Sequence, residues 1–83
     1  MNDKKMIRRK VREVLAMQPD YGKTEAFIHQ AVNSLFGGGV TLQEVRDAMD
    51  YNLAEKLIRS EEDKEAEQIL WFITSAGIAR NKQ

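Results

Sequence analysis

The sequence predicts an α+β fold that is mostly α: three helices, then a two-stranded β-hairpin, then a short C-terminal turn. Three observations predict it. Apolar residues recur at the spacing of amphipathic helices through residues 4–55. Glycine, proline and helix-capping signals divide that region into three segments. Two short segments rich in β-forming residues follow, separated by an acidic stretch. With 83 residues, the chain is predicted to form a single domain of residues 1–83.

The first helix is predicted over about residues 4–17, where one face is apolar and another is basic. The apolar positions follow the i, i+4, i+7, i+8 pattern: Ile7, Val11, Val14 and Leu15. At about 100° per residue, a basic stripe lies away from that face: Lys5, Arg8, Arg9 and Arg12. Pro19 ends the helix, because the residue before a proline is driven out of helical geometry.

The second and third helices are predicted over about residues 25–36 and 42–55. Thr24 is a suitable N-cap for the second helix, and the glycines at 37–39 end it. Thr41 and Glu44 have the spacing of a capping box, in which each side chain satisfies a free backbone N–H at the start of the third helix.

The two strands are predicted at about residues 57–60 and 68–74. The acidic segment 61–67 between them reads as a solvated hairpin loop, and Ser75 as the cap of a final turn. Consecutive elements with short connections usually pack as neighbours, so the hairpin is expected to lie against the three helices. This arrangement is a winged helix-turn-helix, with the hairpin as the wing.

Residues 41–79 resemble the last helix and wing of winged-helix proteins, in which the second wing strand ends in Ile/Leu-Thr-x-x-Gly. The residues that match are Leu57 and Ile58 in the first strand, and Ile73, Thr74 and Gly77 at the ending. The basic first helix, the "QPDY" turn and the Phe-Ile second helix extend the similarity to small winged-helix proteins of Mu-like phages and prophages. That resemblance implies a phage or prophage origin but no particular activity. The acidic wing departs from the basic wing expected in such proteins.

Composition and motifs argue against an enzyme. The chain has no cysteine, which excludes disulfides, thiolate zinc sites and a cysteine nucleophile. His29 is the single histidine and is expected to be exposed, in an i, i+4 pair with Glu25. "GGGVT" lacks the lysine and the preceding strand of a phosphate loop. We therefore expect no catalytic residues, cofactor, metal or small-molecule substrate. No signal peptide or membrane span is apparent, so a cytoplasmic protein is expected.

The fold favours a DNA-associated regulatory protein, whereas the charge distribution does not. Gln43 and Arg46 are the candidate base readers on the third helix. The basic stripe of the first helix supplies candidate phosphate contacts, but it equally fits a solvated face. Residues 42–56 hold four acids and two bases, a net charge of −2, and residues 61–67 hold five acids and one base, a net charge of −4. Such charges weaken attraction to phosphates.

The alternative is a winged helix used for protein interaction or dimerisation without DNA. The second strand has apolar residues on both faces, Ile69 and Trp71 on one and Leu70 and Phe72 on the other. A two-stranded wing has no second sheet to cover both faces. Candidate partner-binding residues are therefore Leu70, Trp71 and Phe72. Both interpretations stay open on the sequence.

Overall fold

The computed structural model describes residues 2–83 and has the element order of a winged helix. Its elements are α1 (Lys4–Ala16), α2 (Glu25–Leu35), α3 (Leu42–Ala54), β1 (Ile58–Asp63), β2 (Gln68–Ile73) and α4 (Ser75–Asn81). The predicted fold class is confirmed, and the three predicted helices each end within one residue of the observed ends. No helix within residues 2–83 is long and apolar enough to cross a bilayer.

The core lies where α1 packs against α2, α3 and the base of the hairpin. Helix α1 contributes the apolar face that its spacing predicts, because residues three and four apart lie on the same side of a helix. Helix α2 buries Ile28 and Val32 but leaves Phe27 and Leu35, on the same apolar face, exposed. The central buried side chains are Ile7, Val11, Val14, Leu15, Ile28, Val32, Val45, Ala48, Met49, Ile58 and Ile73.

Side-chain caps fix where the helices begin. The capping box of α3 is present: Thr41 Oγ1 accepts from the Glu44 N–H at 3.1 Å, and Glu44 Oε1 accepts from the Thr41 N–H at 3.0 Å. At α4 the predicted cap, Ser75, is wrong. Thr74 is the cap, because its hydroxyl accepts from the Gly77 N–H at 3.1 Å and donates to the Lys56 carbonyl at 2.8 Å. The predicted C-terminal turn is a seven-residue helix.

The hairpin is longer than the sequence predicts. β1 and β2 pair antiparallel from Ile58 opposite Ile73 to Asp63 opposite Gln68, so three of the seven residues of the predicted acidic loop, 61–63, are strand. The turn at 64–67 is short because Asp63 Oδ1 accepts from the Ala66 N–H at 3.2 Å and Glu67 takes a φ of 52°. The charges of residues 61–63 favour a solvated loop, but pairing with β2 holds this segment in a strand.

The loop between α1 and α2 adds a third piece to the sheet. The backbone of Lys23 exchanges two hydrogen bonds with Trp71, at 3.0 and 2.9 Å, on the edge of β2 that β1 leaves open. No signal in the sequence indicates this pairing, since Lys23 and Trp71 are far apart in the chain. It brings Gly22 against one face of the wing, where an added Cβ would lie 2.6 Å from the Phe72 ring and 2.7 Å from Leu70 Cβ.

Candidate nucleic-acid interface

Helix α3 presents the two predicted base readers on its solvent face. Gln43 and Arg46 are both exposed in the first two turns, on the side away from the buried Val45 and Met49. The same face carries Asp47 and is therefore of mixed charge. The placement is the one a helix-turn-helix uses for contact with base edges.

Both side chains have carboxylate partners within the molecule. The Gln43 amide donates to Asp47 Oδ1 at 2.9 Å. The Arg46 guanidinium binds Glu25 Oε1 through Nε at 3.0 Å and through a terminal nitrogen at 2.9 Å. The hydrogen bond to Glu25, followed by its charge, raises the pKa of Arg46, so this side chain stays cationic. The Arg46 pair also links the first residue of α2 to α3.

The basic stripe of α1 is not one solvated surface. Lys5 is exposed, and Arg8 is half-buried with its guanidinium 3.9 Å from the centre of the Tyr51 ring. Such stacking holds the cation beside α3 without removing it from solvent. No local signal in the sequence indicates the contact with Tyr51, because it joins two helices that are far apart in the chain.

Arg9 and Arg12 serve the fold, which corrects their place in the predicted stripe. Arg9 donates to the carbonyl oxygens of Asn81 at 2.6 Å and Gln83 at 3.4 Å. Arg12 is only 6% exposed and donates to Asn81 Oδ1 at 2.7 Å and Asn52 Oδ1 at 2.8 Å. Burial, followed by the nearby Arg80 and Arg9 charges, lowers the pKa of Arg12. Its exposure to a phosphate backbone was predicted wrongly, because α4 packs over that part of α1.

A groove of about 560 Å³ separates the first turns of α1 and α3. Lys4 and Arg8 lie on one wall, and Glu44 and Asp47 lie on the other. Lys4 was not among the sequence candidates, although it precedes Lys5, because it falls outside the predicted stripe. The structure thus places two cations, Lys4 and Arg8, beside α3. Lys5 is exposed next to Lys4 in the first turn of α1.

The wing carries an acidic surface with few cations. Arg59 forms an ion pair with Glu61 at 2.9 Å and lies 4.3 Å over the Phe72 ring. Lys64 is exposed in the turn at the tip. In the usual mode a wing approaches the nucleic acid next to α3, and the acids here oppose that approach.

The predicted partner residues of the wing differ in their exposure. Phe72 is 9% exposed, so its assignment to a partner surface is wrong; the loop at Gly22 covers it. Leu70, on the same face, is half-buried. Trp71 is also half-buried, on the opposite face, where Ile69 is 52% exposed.

His29 does not form the predicted pair with Glu25. Its Nε2 lies 2.7 Å from the Val40 carbonyl oxygen and therefore donates to it, which ties α2 to the loop before α3. Glu25 is bound to Arg46 instead. Within residues 2–83, no group of three or more histidine, aspartate and glutamate side chains is arranged to hold a metal ion.

Comparison with solved structures supports the winged-helix fold. The chain is similar to a MarR-family transcriptional regulator from Silicibacter pomeroyi, with a TM-score of 0.75 and 18% sequence identity. The similarity covers 92% of this chain and 46% of the regulator, so the chain spans less than half the length of that protein. No protein-family model and no curated protein matches the sequence. The similarity to phage proteins therefore remains a prediction.

Proposed function

We propose that this protein is a non-enzymatic, DNA-associated regulatory module. The observation that carries the proposal is the exposed first half of α3, which holds Gln43 and Arg46 in a winged-helix frame. The likeness to a transcriptional regulator supports it as an analogy of fold. The resemblance to winged-helix proteins of Mu-like phages supports placing the regulator in a phage or prophage.

Gln43 and Arg46 have the chemistry to read bases in the major groove. An amide donates and accepts at adenine, and a guanidinium donates twice to guanine. Their present partners, Asp47 and Glu25, do not prevent this, because exposed pairs contribute only about 0–1 kcal/mol. Contact with DNA would exchange these pairs for base contacts.

The phosphate contacts in this proposal come from Lys4 and Arg8, which flank α3, and from the exposed Lys5 next to Lys4 on α1. Arg9 and Arg12 are left out because α4 engages them. Because these are only three cations and the wing is acidic, the non-specific attraction of the protein to DNA phosphates is weak. The protein is therefore expected to depend on base contacts and to bind a selected sequence much better than mixed DNA.

The test is selection from a randomised duplex pool at low salt, followed by fluorescence anisotropy with the selected duplex. Arg46→Ala is expected to weaken binding by about 1–3 kcal/mol and to relax the preference at one base pair. Lys5→Ala is expected to weaken binding to all duplex sequences alike and to lower the slope of log affinity against log salt concentration by about 1. Lys82→Ala, which removes an exposed cation next to α4, is the matched control. Failure to select or bind any duplex at low salt would refute the proposal.

A second candidate function is protein interaction through the wing. It is favoured by the net charge of −4 over residues 61–67 and by the exposure of Ile69, which neither DNA contact nor the fold explains. Under this proposal the winged helix binds a basic, partly apolar protein surface.

A further inference from the structure

A second groove, of about 1200 Å³, lies between the first turn of α2 and one face of the wing. Its apolar floor is made by Ala26, Ile69 and Trp71, and its walls carry Glu25, Glu62 and Glu67. The strand register places Glu62 opposite Ile69 and Ser60 opposite Trp71. Acid and apolar groups therefore share one face of the wing.

This face of the wing is only partly covered by the rest of the molecule. The opposite face is closed by the loop at Gly22, which contacts Phe72 and Leu70. On the groove side, Ile73 at the base of the hairpin is buried, Trp71 is half-buried, and Ile69 is 52% exposed. The apolar strip continues from the core into solvent. Such a strip, rimmed by polar residues, is typical of a binding groove.

The negative charge of the groove indicates which kind of surface can bind in it. Three carboxylates line it against one ammonium, that of Lys64, and one of the three, Glu25, is already paired with Arg46. Glu62 and Glu67 are exposed, and within residues 2–83 neither has a cation at ion-pair distance. The groove is complementary to a surface that combines cations with an apolar side chain.

The first turn of α1 has that composition. Lys4 and Lys5 are exposed, and Met6 beside them is 43% exposed. None of the three lines the wing groove. Methionine is unbranched and adapts to irregular apolar gaps, which suits the space over Ile69 and Trp71. Both halves of a complementary contact are thus present on one chain, at separate places on its surface.

We propose that a second copy of this chain inserts the first turn of its α1 into the groove between α2 and the wing. The contact is head-to-tail, because the two surfaces differ, and it leaves a free basic turn and a free groove at the ends of every assembly that does not close into a ring. It rests on the second candidate function, protein interaction, and does not depend on DNA binding. Salt weakens it, because the attracting charges lie at the surface.

The first experiment measures mass by light scattering and sedimentation across protein concentration and salt, with tryptophan emission followed in parallel. The chain has one tryptophan, so the emission reports on the groove. Mass is expected to rise with concentration at low salt, with a blue shift of the emission, and both changes are expected to disappear at high salt. A monomer at every concentration would overturn the proposal.

Paired charge reversals test whether the first turn of α1 and the wing groove are the two surfaces in contact. Lys4→Glu with Lys5→Glu gives an acidic turn facing an acidic groove, and Glu62→Lys with Glu67→Lys gives a basic turn facing a basic groove. Each double variant alone is expected to lose association, and an equimolar mixture of the two is expected to regain it. Glu61→Lys with Glu65→Lys makes the same change of net charge outside the groove and is expected to keep association. Circular dichroism establishes that each variant is folded.

Association that survives both reversals, or a mixture that stays monomeric, would place the contact elsewhere and overturn the proposal. The outcomes for DNA are separate. A monomer that binds a selected duplex overturns only the self-association. Salt-sensitive association in a protein that binds no duplex overturns only the DNA proposal.

Discussion

At the scale of single residues, Arg12 shows how one side chain joins three helices. Its guanidinium donates to Asn52 on α3 and to Asn81 on α4 from a position inside α1. The Asn52 amide in turn donates to the Arg8 carbonyl at 3.1 Å, and the Asn81 amide donates to the Arg9 carbonyl at 3.2 Å. Because every buried polar side-chain atom among residues 2–83 has a partner, the network stabilises the fold rather than providing a site.

Arg12→Ala is expected to lower the free energy of unfolding by about 2–3 kcal/mol, because it leaves the Asn52 and Asn81 oxygens without their charged donor. Urea denaturation measures the change. Lys5→Ala, two turns closer to the N-terminus and exposed, is the control and is expected to change stability by at most about 0.5 kcal/mol. Equal effects of the two substitutions would contradict the role assigned to Arg12.

Gly22 is the position where the α1–α2 loop approaches the wing most closely. Gly22→Ala is expected to destabilise the protein by about 1–3 kcal/mol, because the new methyl group overlaps the Phe72 ring and Leu70. In a Phe72→Leu background the cost of the same substitution is expected to be smaller, since the ring is gone. Thermal unfolding of the four proteins measures this coupling. An unchanged cost would show that the ring does not limit the approach.

At the scale of elements, the start of α3 depends on a charged cap. The backbone N–H of Thr41, which donates to the Glu44 carboxylate, lowers the pKa of Glu44 below its ordinary value. A carboxyl with a depressed folded-state pKa stabilises the fold above its unfolded pKa of about 4.3. That contribution is lost as the pH falls through the lower folded-state value.

Glu44→Gln keeps the hydrogen-bonding shape of the capping box but removes the titration. As the pH is lowered from about 4.3, the melting temperature of this variant is therefore expected to fall less steeply than that of the unmodified chain. Glu65→Gln, in the exposed turn of the wing, is the comparison and is expected to leave the steepness unchanged. Identical pH profiles for all three proteins would exclude a contribution from the cap.

At the scale of the whole molecule, a net charge of zero conceals two opposed regions. Residues 3–13 hold six bases and two acids, and residues 61–67 hold five acids and one base. Lys4 and Arg8 lie beside α3, and Lys5 is exposed next to Lys4, whereas the acids surround the groove of the wing and its tip. The same charges that weaken approach to DNA make the wing complementary to the first turn of α1 in another copy.

Reversing part of the wing charge tests whether the acids oppose DNA. Glu61→Lys with Glu65→Lys is expected to raise affinity for mixed-sequence DNA at low salt by at least about tenfold and to steepen the salt dependence. Glu61→Gln with Glu65→Gln, which removes the acids without adding cations, is expected to give a smaller gain. Anisotropy titrations at several salt concentrations make the comparison. No gain from the lysine pair would show that the wing lies away from the nucleic acid.

The sequence by itself determined the elements that depend on local signals. Apolar spacing, the Thr24 and Thr41 caps and the glycines at 37–39 set the three helices almost to the residue, and the order of elements was sufficient for the fold class. Local signals were not enough for β1, whose acidic half is a strand only because β2 pairs with it. They also missed the Lys23 pairing with Trp71, which joins distant segments.

The candidate sites depended more on tertiary structure. The exposure of Gln43 and Arg46 followed from the helix period, but their carboxylate partners did not. Helix spacing placed Arg12 in solvent, whereas α4 buries it, because a period gives a side chain's direction on its own helix and not what packs there. For the same reason only the folded chain decided that Phe72 is covered and that Ile69 and Trp71 line an open acidic groove.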